Sequence, residues 1–281
     1  MTQQAEQAPR APQAQAPDTF RRSRIRRPLS SFGLMYPLVF LALLALSWFL
    51  VTTGGLVEPY VLPSPADTWE AFADNTAYLW THTVVTTVET VVGFVIASLV
   101  GVVVAVLMVY SPTVERTFYP LVLFAQVIPK IAIAPLFVVW LGFGASPKIF
   151  VAVLMAFFPV VISGISGLRS VDPELLELTS TMGASRIKTF WKVRFPAALP
   201  ELLSGLKVAA TLAVTGAVVG EFVGANSGLG YVILQANGNI DTAMLFAALF
   251  IMSALGVLLF AVIQVAETFL IPWHASRRNR G

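Results

Sequence analysis

Apolar positions along this chain run on without the alternation of a half-buried strand or the polar face of a surface helix. Six such runs, at about residues 32–53, 82–109, 118–141, 148–168, 202–222 and 243–270, are separated by short polar or Gly/Pro-containing joints. Each has about the 20 residues a helix needs to cross a bilayer at 1.5 Å per residue. Strands of a transmembrane barrel need only about 9–11 alternating residues, so the runs predict helices, which satisfy their own backbone groups in lipid. The expected fold is an all-α integral membrane protein with six transmembrane helices. The first run, Phe32 to Thr53, is too long for a signal-peptide core, its basic lead is too extended, and no small-x-small cleavage site follows. It reads as an uncleaved span.

Composition agrees with a lipid-solvated chain. Of 281 residues, 57% are hydrophobic and 12% charged, about half the charge of a soluble domain. Cysteine is absent, which excludes disulfides, thiolate metal sites and cysteine nucleophiles. The net charge of +3 does not point to nucleic acid, because the basic residues flank apolar spans and report topology. Residues 1–30 form a Gln/Ala/Pro-rich stretch with Arg21, Arg22, Arg24, Arg26 and Arg27, expected as a disordered cytosolic tail before a transmembrane domain over 31–275. A basic tail, 276–281, closes the sequence. With both termini cytosolic, the inner segments collect these arginines together with Arg116, Arg169, Arg186, Lys188, Lys192 and Arg194, whereas the outer segments hold only Lys148. The first outer loop carries Glu58, Asp67, Glu70 and Asp74 among Trp69, Phe72, Tyr78 and Trp80, and reads as an amphipathic interfacial helix.

The longest polar interruption, 169–200, has a defined helical grammar. Asp172-Pro173 is an Asx N-cap followed by a proline suited to the first helical position, and a short helix is expected from Glu174 to Met182. Gly183 stops it as a left-handed C-cap, and Ser185 caps a second helix through Lys192, which Pro196 and Pro200 are expected to end. The product is a helix–Gly–helix element at the cytosolic surface, with Leu175, Leu176, Leu178 and Met182 apolar and Arg186, Lys188 and Lys192 charged.

Here the chain resembles a family: the inner-membrane permeases of binding-protein-dependent ATP-binding-cassette importers, of the type I fold. Their signature is a cytosolic Glu-Ala-Ala, a later Gly, and then Ile-x-Leu-Pro. This chain has Glu177-Leu178-Thr179, Gly183 and Val193-Arg194-Phe195-Pro196 at the same spacing; Glu, Gly and Pro match, while the alanines, Ile and Leu are replaced. The likeness extends to LPSP at 62–65, IPKIAIAPL at 128–136, LRSVDPELLE at 168–177, GAVVGEFVGANSGLGYVI at 216–233 and PWH at 272–274. The resemblance implies that the 169–200 loop, through Glu177, Leu178, Thr179, Gly183, Ala184, Arg186 and Pro196, is the coupling element seated in an ATPase subunit. It further implies two ATPase copies binding ATP and Mg, an extracytoplasmic substrate-binding protein, a second copy of the chain, and a bacterial inner-membrane location, with no cofactor in this chain. Within the group, the motifs are most like those of riboflavin and thiamine-precursor permeases; sulfonate, taurine and nitrate permeases share the broader pattern, and an aromatic carboxylate is an alternative substrate.

Chemistry of its own is not expected. No phosphate loop exists, since none of Lys130, Lys148, Lys188, Lys192 and Lys207 follows a glycine. No protease or esterase motif lies in the spans, and His82 and His274 fall on opposite faces, so neither a metal site nor an intramembrane enzyme is indicated. His82 is expected as an interfacial side chain. A stand-alone channel or secondary transporter would need more intramembrane acids or an internal repeat. Lys130 lies about 18 Å into the third run, near mid-bilayer, and its neighbours Pro129 and Pro135 are expected to break the helical ladder there. It either lines a translocation path, with Gln126 one turn earlier on the same face and Glu89 and Glu221 as further path candidates, or pairs with Glu89 or Glu221, Glu89 being favoured. Glu221 opens a glycine-rich segment, 224–230, with the freedom of a turn or re-entrant stretch, and Gly216 and Gly220 have the spacing of a helix-packing motif.

Overall fold

The computed structural model describes residues 32–224 and 226–271; the expectations for both tails and for Trp273 and His274 fall outside them. In chain order the helices are α1 (Phe32–Thr53), α2 (Pro65–Asp74), α3 (Thr76–Tyr110), α4 (Pro112–Val127), α5 (Lys130–Leu141), α6 (Ala145–Arg169), α7 (Pro173–Thr181), α8 (Arg186–Thr189), α9 (Phe195–Phe222), α10 (Leu229–Gly238) and α11 (Thr242–Leu270). No strand occurs among the described residues. The chain divides into two units, residues 1–47 and 48–281. Most of α1 belongs to the first, and the helical bundle is built within the second.

Among the described residues, five helical stretches are long and apolar enough to cross a membrane, with a sixth if α4 and α5 count as one span. In that pair the run at 118–141 is broken beside Pro129, where the two helices meet at a bend of 100°. The cause is local. Pro129 has no amide proton and its ring excludes helical geometry at the preceding residue, so Ile128 takes an extended conformation, φ −62° and ψ 130°. Pro135, also expected to break the ladder, is carried inside α5. The acidic segment expected as an interfacial helix does form one, α2. Ser64 Oγ accepts from the Asp67 amide and the Asp67 carboxylate accepts from the Ser64 amide, each at 3.1 Å, behind Pro65 at the first helical position.

Helix α6 is the axis of the bundle, and small residues bring its neighbours close. On α3, Gly93 faces Ala152, Gly101 faces Val160 and Ala105 faces Gly164, so α3 and α6 run parallel in a fixed register. On α9, Gly220 faces Lys148, Gly216 faces Ala152 and Gly205 faces Ser163, so α9 runs antiparallel to α6. A methyl on Gly216 would stand 2.6 Å from the Ala152 Cα, and one on Gly220 would stand 2.6 Å from the Lys148 Cα, which shows the packing role expected for this pair. Ion pairs Lys207–Glu267 and Arg169–Glu115 tie α9 to α11 and α6 to α4. The outward faces carry exposed Leu99, Val103 and Leu107 on α3 and Val257, Leu258 and Val262 on α11, surfaces suited to hydrocarbon and not to water.

Candidate functional site

At the C-terminal end of α6 the chain leaves the bundle through α7 and α8. Asp172 accepts from the Glu174 amide at 3.0 Å, starting α7 at Pro173 as expected. The helix ends with Met182 N–H bonded to Leu178 O at 3.0 Å and Ala184 N–H bonded to Thr179 O at 3.0 Å. Gly183 sits at φ +70°, a conformation that favours glycine. Ser185 Oγ accepts from the Lys188 amide at 3.3 Å and opens α8. No residue of α7 or α8 is buried: Leu175 is 51% exposed, Leu178 55%, Met182 76% and Ile187 74%. Glu177 and Arg186 are exposed beside them, while Thr179 and Ala184 are half-buried at the turn.

The second helix does not end at Pro196 and Pro200. It passes through a wider π turn, Phe190–Arg194, directly into α9, giving one helical stretch from Arg186 to Phe222. The π turn lies where the Pro196 ring would meet the carbonyl four residues earlier, and Pro196 then occupies the first turn of α9. Arg194 lies 5.3 Å from the Tyr110 ring and Phe190 6.0 Å from it, which pins this segment to the end of α3.

At the other end of α6 lies a buried polar knot. Lys148 Nζ is 2.5 Å from Glu89 Oε1, with side-chain exposures of 5% and 3%, and it donates to Ser227 O at 3.2 Å. Glu221, fully buried, accepts from Thr86 Oγ1 at 2.6 Å and from the Gly230 amide at 2.5 Å. Thr86 Oγ1 accepts from the Leu229 amide at 2.8 Å, and His82 Nδ1 accepts from the Gly228 amide at 2.9 Å. The glycine-rich segment is thus clamped against α3 and α6. No side chain fits at Gly228 or Gly230, because each lies against the Glu221 side chain.

Three expectations are corrected here. Lys130 pairs with neither Glu89 nor Glu221: Lys148 takes Glu89, since the α3/α6 register sets those two residues side by side. Lys130 Nζ donates instead to Gln126 O at 2.9 Å and lies 4.9 Å from the Phe158 ring centroid. Gln126 and Lys130 do not share a face of one helix, because the α4/α5 break falls between them. His82 is 8% exposed between Tyr78 and Tyr231, a member of the knot and not an interfacial side chain.

Residues 93–272 match the profile of the binding-protein-dependent transport system inner membrane component. The chain belongs to that family. The formylaminopyrimidine transport permease protein ThiX of Halalkalibacterium halodurans is 37% identical over 244 residues, 86% of this chain and 97% of that protein. The riboflavin transport system permease protein RibX of Chloroflexus aurantiacus is 34% identical over 242 residues, 85% and 90% of the two chains. The taurine transport system permease protein TauC of Escherichia coli is 31% identical over 243 residues, 83% and 88%. A chain of the MetNI methionine ABC transporter, in an inward-facing conformation, shares the fold at a TM-score of 0.56 and 24% identity, over 68% of this chain and 94% of that one. The protein is an integral membrane permease of an ABC importer.

Of the residues singled out from sequence, the permease brings Glu177, Leu178, Thr179, Gly183, Ala184 and Arg186 together on one short element, with Pro196 at the base of the helix that continues from it. It brings Glu89 and Glu221 into one knot and leaves Gln126 and Lys130 outside it. Sequence reasoning misses Thr86, His82 and Lys148 as members. A signal for the last is present in the chain. Gly93, Gly101 and Ala105 have the same mutual spacing as Ala152, Val160 and Gly164, and extending that register one turn back sets Glu89 against Lys148.

Proposed function

We propose that this chain is the translocating subunit of an ATP-driven importer that takes up a small polar or heteroaromatic solute, of the kind named by its formylaminopyrimidine and riboflavin relatives. A soluble binding protein delivers the solute, and two ATPase subunits beneath a pair of permease copies supply the work. Both termini and the α7–α8 element face the cytosol in a bacterial inner membrane. ATP and Mg are handled by the ATPase, and this chain performs no reaction of its own. The observation that carries the reading is the α7–Gly183–α8 element. It combines capped helices and a fixed turn with an apolar face exposed to water, which is a shape held ready for a partner.

Mechanistically, the element is a short lever whose far arm is the continuous helix from Arg186 to Phe222. When the ATPase pair closes, a push on α7 and α8 passes through the π turn into α9. From α9 it reaches α6 through the small-residue contacts at Gly205, Gly216 and Gly220. Packed helices shift as rigid bodies and do not deform smoothly, so the push is converted into alternating exposure of a path between copies. Lys130 and Gln126, at the α4/α5 break, belong on that path.

The test is Gly183→Asp, at a position where an added Cβ meets nothing within 4 Å. The permease should still reach the membrane, while copurification of the ATPase and ATP-driven uptake fall about tenfold, the equivalent of about 1.4 kcal/mol of coupling. Unchanged copurification and uptake would remove the coupling role.

A further inference from the structure

Beside the knot, the start of α6, the joint around Phe143 and Gly144, and the glycine-rich segment border an open cavity of about 530 Å³. This is a volume typical of small-molecule sites. Its lining includes Glu89, Lys148, Phe143, Asn226 and Ser227. Lys148 is the one cation among the described residues of that wall, and its charge is already matched by Glu89 at 2.5 Å. The carboxyl of Glu221 belongs to the same buried knot, and no donor is placed on Glu89 Oε2 among the described residues. The field offered to a solute is therefore neutral to negative. An anion entering here would give up hydration without meeting a free positive charge. For a neutral ring with polar edges the same wall offers two uncharged polar residues, Asn226 and Ser227, and the aromatic Phe143, which is largely exposed.

We propose that this cavity is a passage site for the transported solute and that the matched Glu89–Lys148 pair makes it select neutral, hydrogen-bonding planar solutes over sulfonate-like anions. The proposal rests on the importer function proposed for this chain. It assigns Glu89 and Lys148 a part in specificity that acts through the field at the wall, since both side chains are almost wholly covered.

The permease contains no cysteine, so a single Ala145→Cys on the cavity wall reports occupancy by its rate of reaction with a neutral maleimide in the assembled transporter without nucleotide. The probes are 4-amino-5-hydroxymethyl-2-methylpyrimidine and ethanesulfonate. With the native pair, the pyrimidine should slow labelling about threefold at about twice its Kd, and ethanesulfonate should not slow it. Adding Glu89→Gln frees the Lys148 charge, and ethanesulfonate should then protect. Adding Glu89→Gln with Lys148→Met leaves a neutral wall that keeps the pyrimidine preference. Protection by ethanesulfonate with the native pair, or by neither probe, overturns the proposal even if the charge variants do not fold. Labelling needs no ATP-driven motion, so a failed cavity leaves the Gly183→Asp result standing, and a failed coupling element leaves the labelling pattern standing.

Discussion

The two ends of α6 treat polar and apolar groups in opposite ways. Around Lys148 the charged and polar side chains are buried and partnered: Glu89, Glu221, Thr86 and His82 are each 8% exposed or less. Around α7 and α8 the apolar side chains Leu178, Met182 and Ile187 are left more than half exposed. Burying charge is expensive and exposing apolar surface to water is unfavourable, so neither arrangement arises from stability alone. The first makes sense where a segment must be held in one place against two helices. The second fits the proposal that an ATPase subunit covers this face. The permease thus partners its polar groups within itself at one end and leaves apolar side chains uncovered at the other, with α6 and α9 joining the two.

The sharpest way to break this contrast is to unpair the knot. Lys148→Met strands Glu89 in a site where both side chains are 5% exposed or less. It should cost about 3–5 kcal/mol, the usual penalty for an uncompensated buried charge. Thermal unfolding of the purified permease in detergent reads this directly, and adding Glu89→Gln should recover most of the loss. A drop under about 1 kcal/mol would mean that the end described as closed is loosely held after all.

Two glycines then compare the interior with the turn between α7 and α8. Gly216→Ala drives a methyl to 2.6 Å from the Ala152 Cα and 2.9 Å from the Val151 carbonyl, both backbone atoms of α6 that cannot rotate away. Overpacking of this kind should cost about 1–3 kcal/mol. Gly183→Ala meets no atom within 4 Å and suffers only from φ +70°, about 1 kcal/mol. Equal unfolding midpoints for the two variants would erase the distinction between a packed helix face and a free turn.

Which of these features can be read from the sequence depends on which forces are local. The spans are legible because each needs only its own apolar residues, and α7 because Asp172, Pro173 and Gly183 write its start and stop within a few positions. The α4/α5 break is half legible: Pro129 marks it, but a bend of 100° depends on what α5 packs against. The knot is not legible residue by residue. Glu89 is placed against Lys148 only by the parallel register of α3 and α6, and that register is set by small residues far from either charge. The π turn ahead of Pro196 is hidden for a related reason. A proline reads as a stop unless the preceding turn widens to receive it, and here Phe190 and Arg194 anchor that widened turn on Tyr110.

The smallest expected change in stability is at the open end, where the largest change in function belongs. Met182→Asp places a charge on a side chain that is 76% exposed and touches no buried core, so the unfolding midpoint should shift by no more than about 0.5 kcal/mol. The same substitution sets a carboxylate in the middle of the face that the ATPase is proposed to cover, next to Leu178 and ahead of the Gly183 turn. Burying it there without a partner is unfavourable by the same physics that makes Lys148→Met costly at the other end. Uptake and ATPase copurification should therefore fall while the isolated permease unfolds as before. If instead Met182→Asp unfolds the permease, the α7–α8 element is part of the bundle's own packing, and the separation into a closed end and an open end fails at its second half.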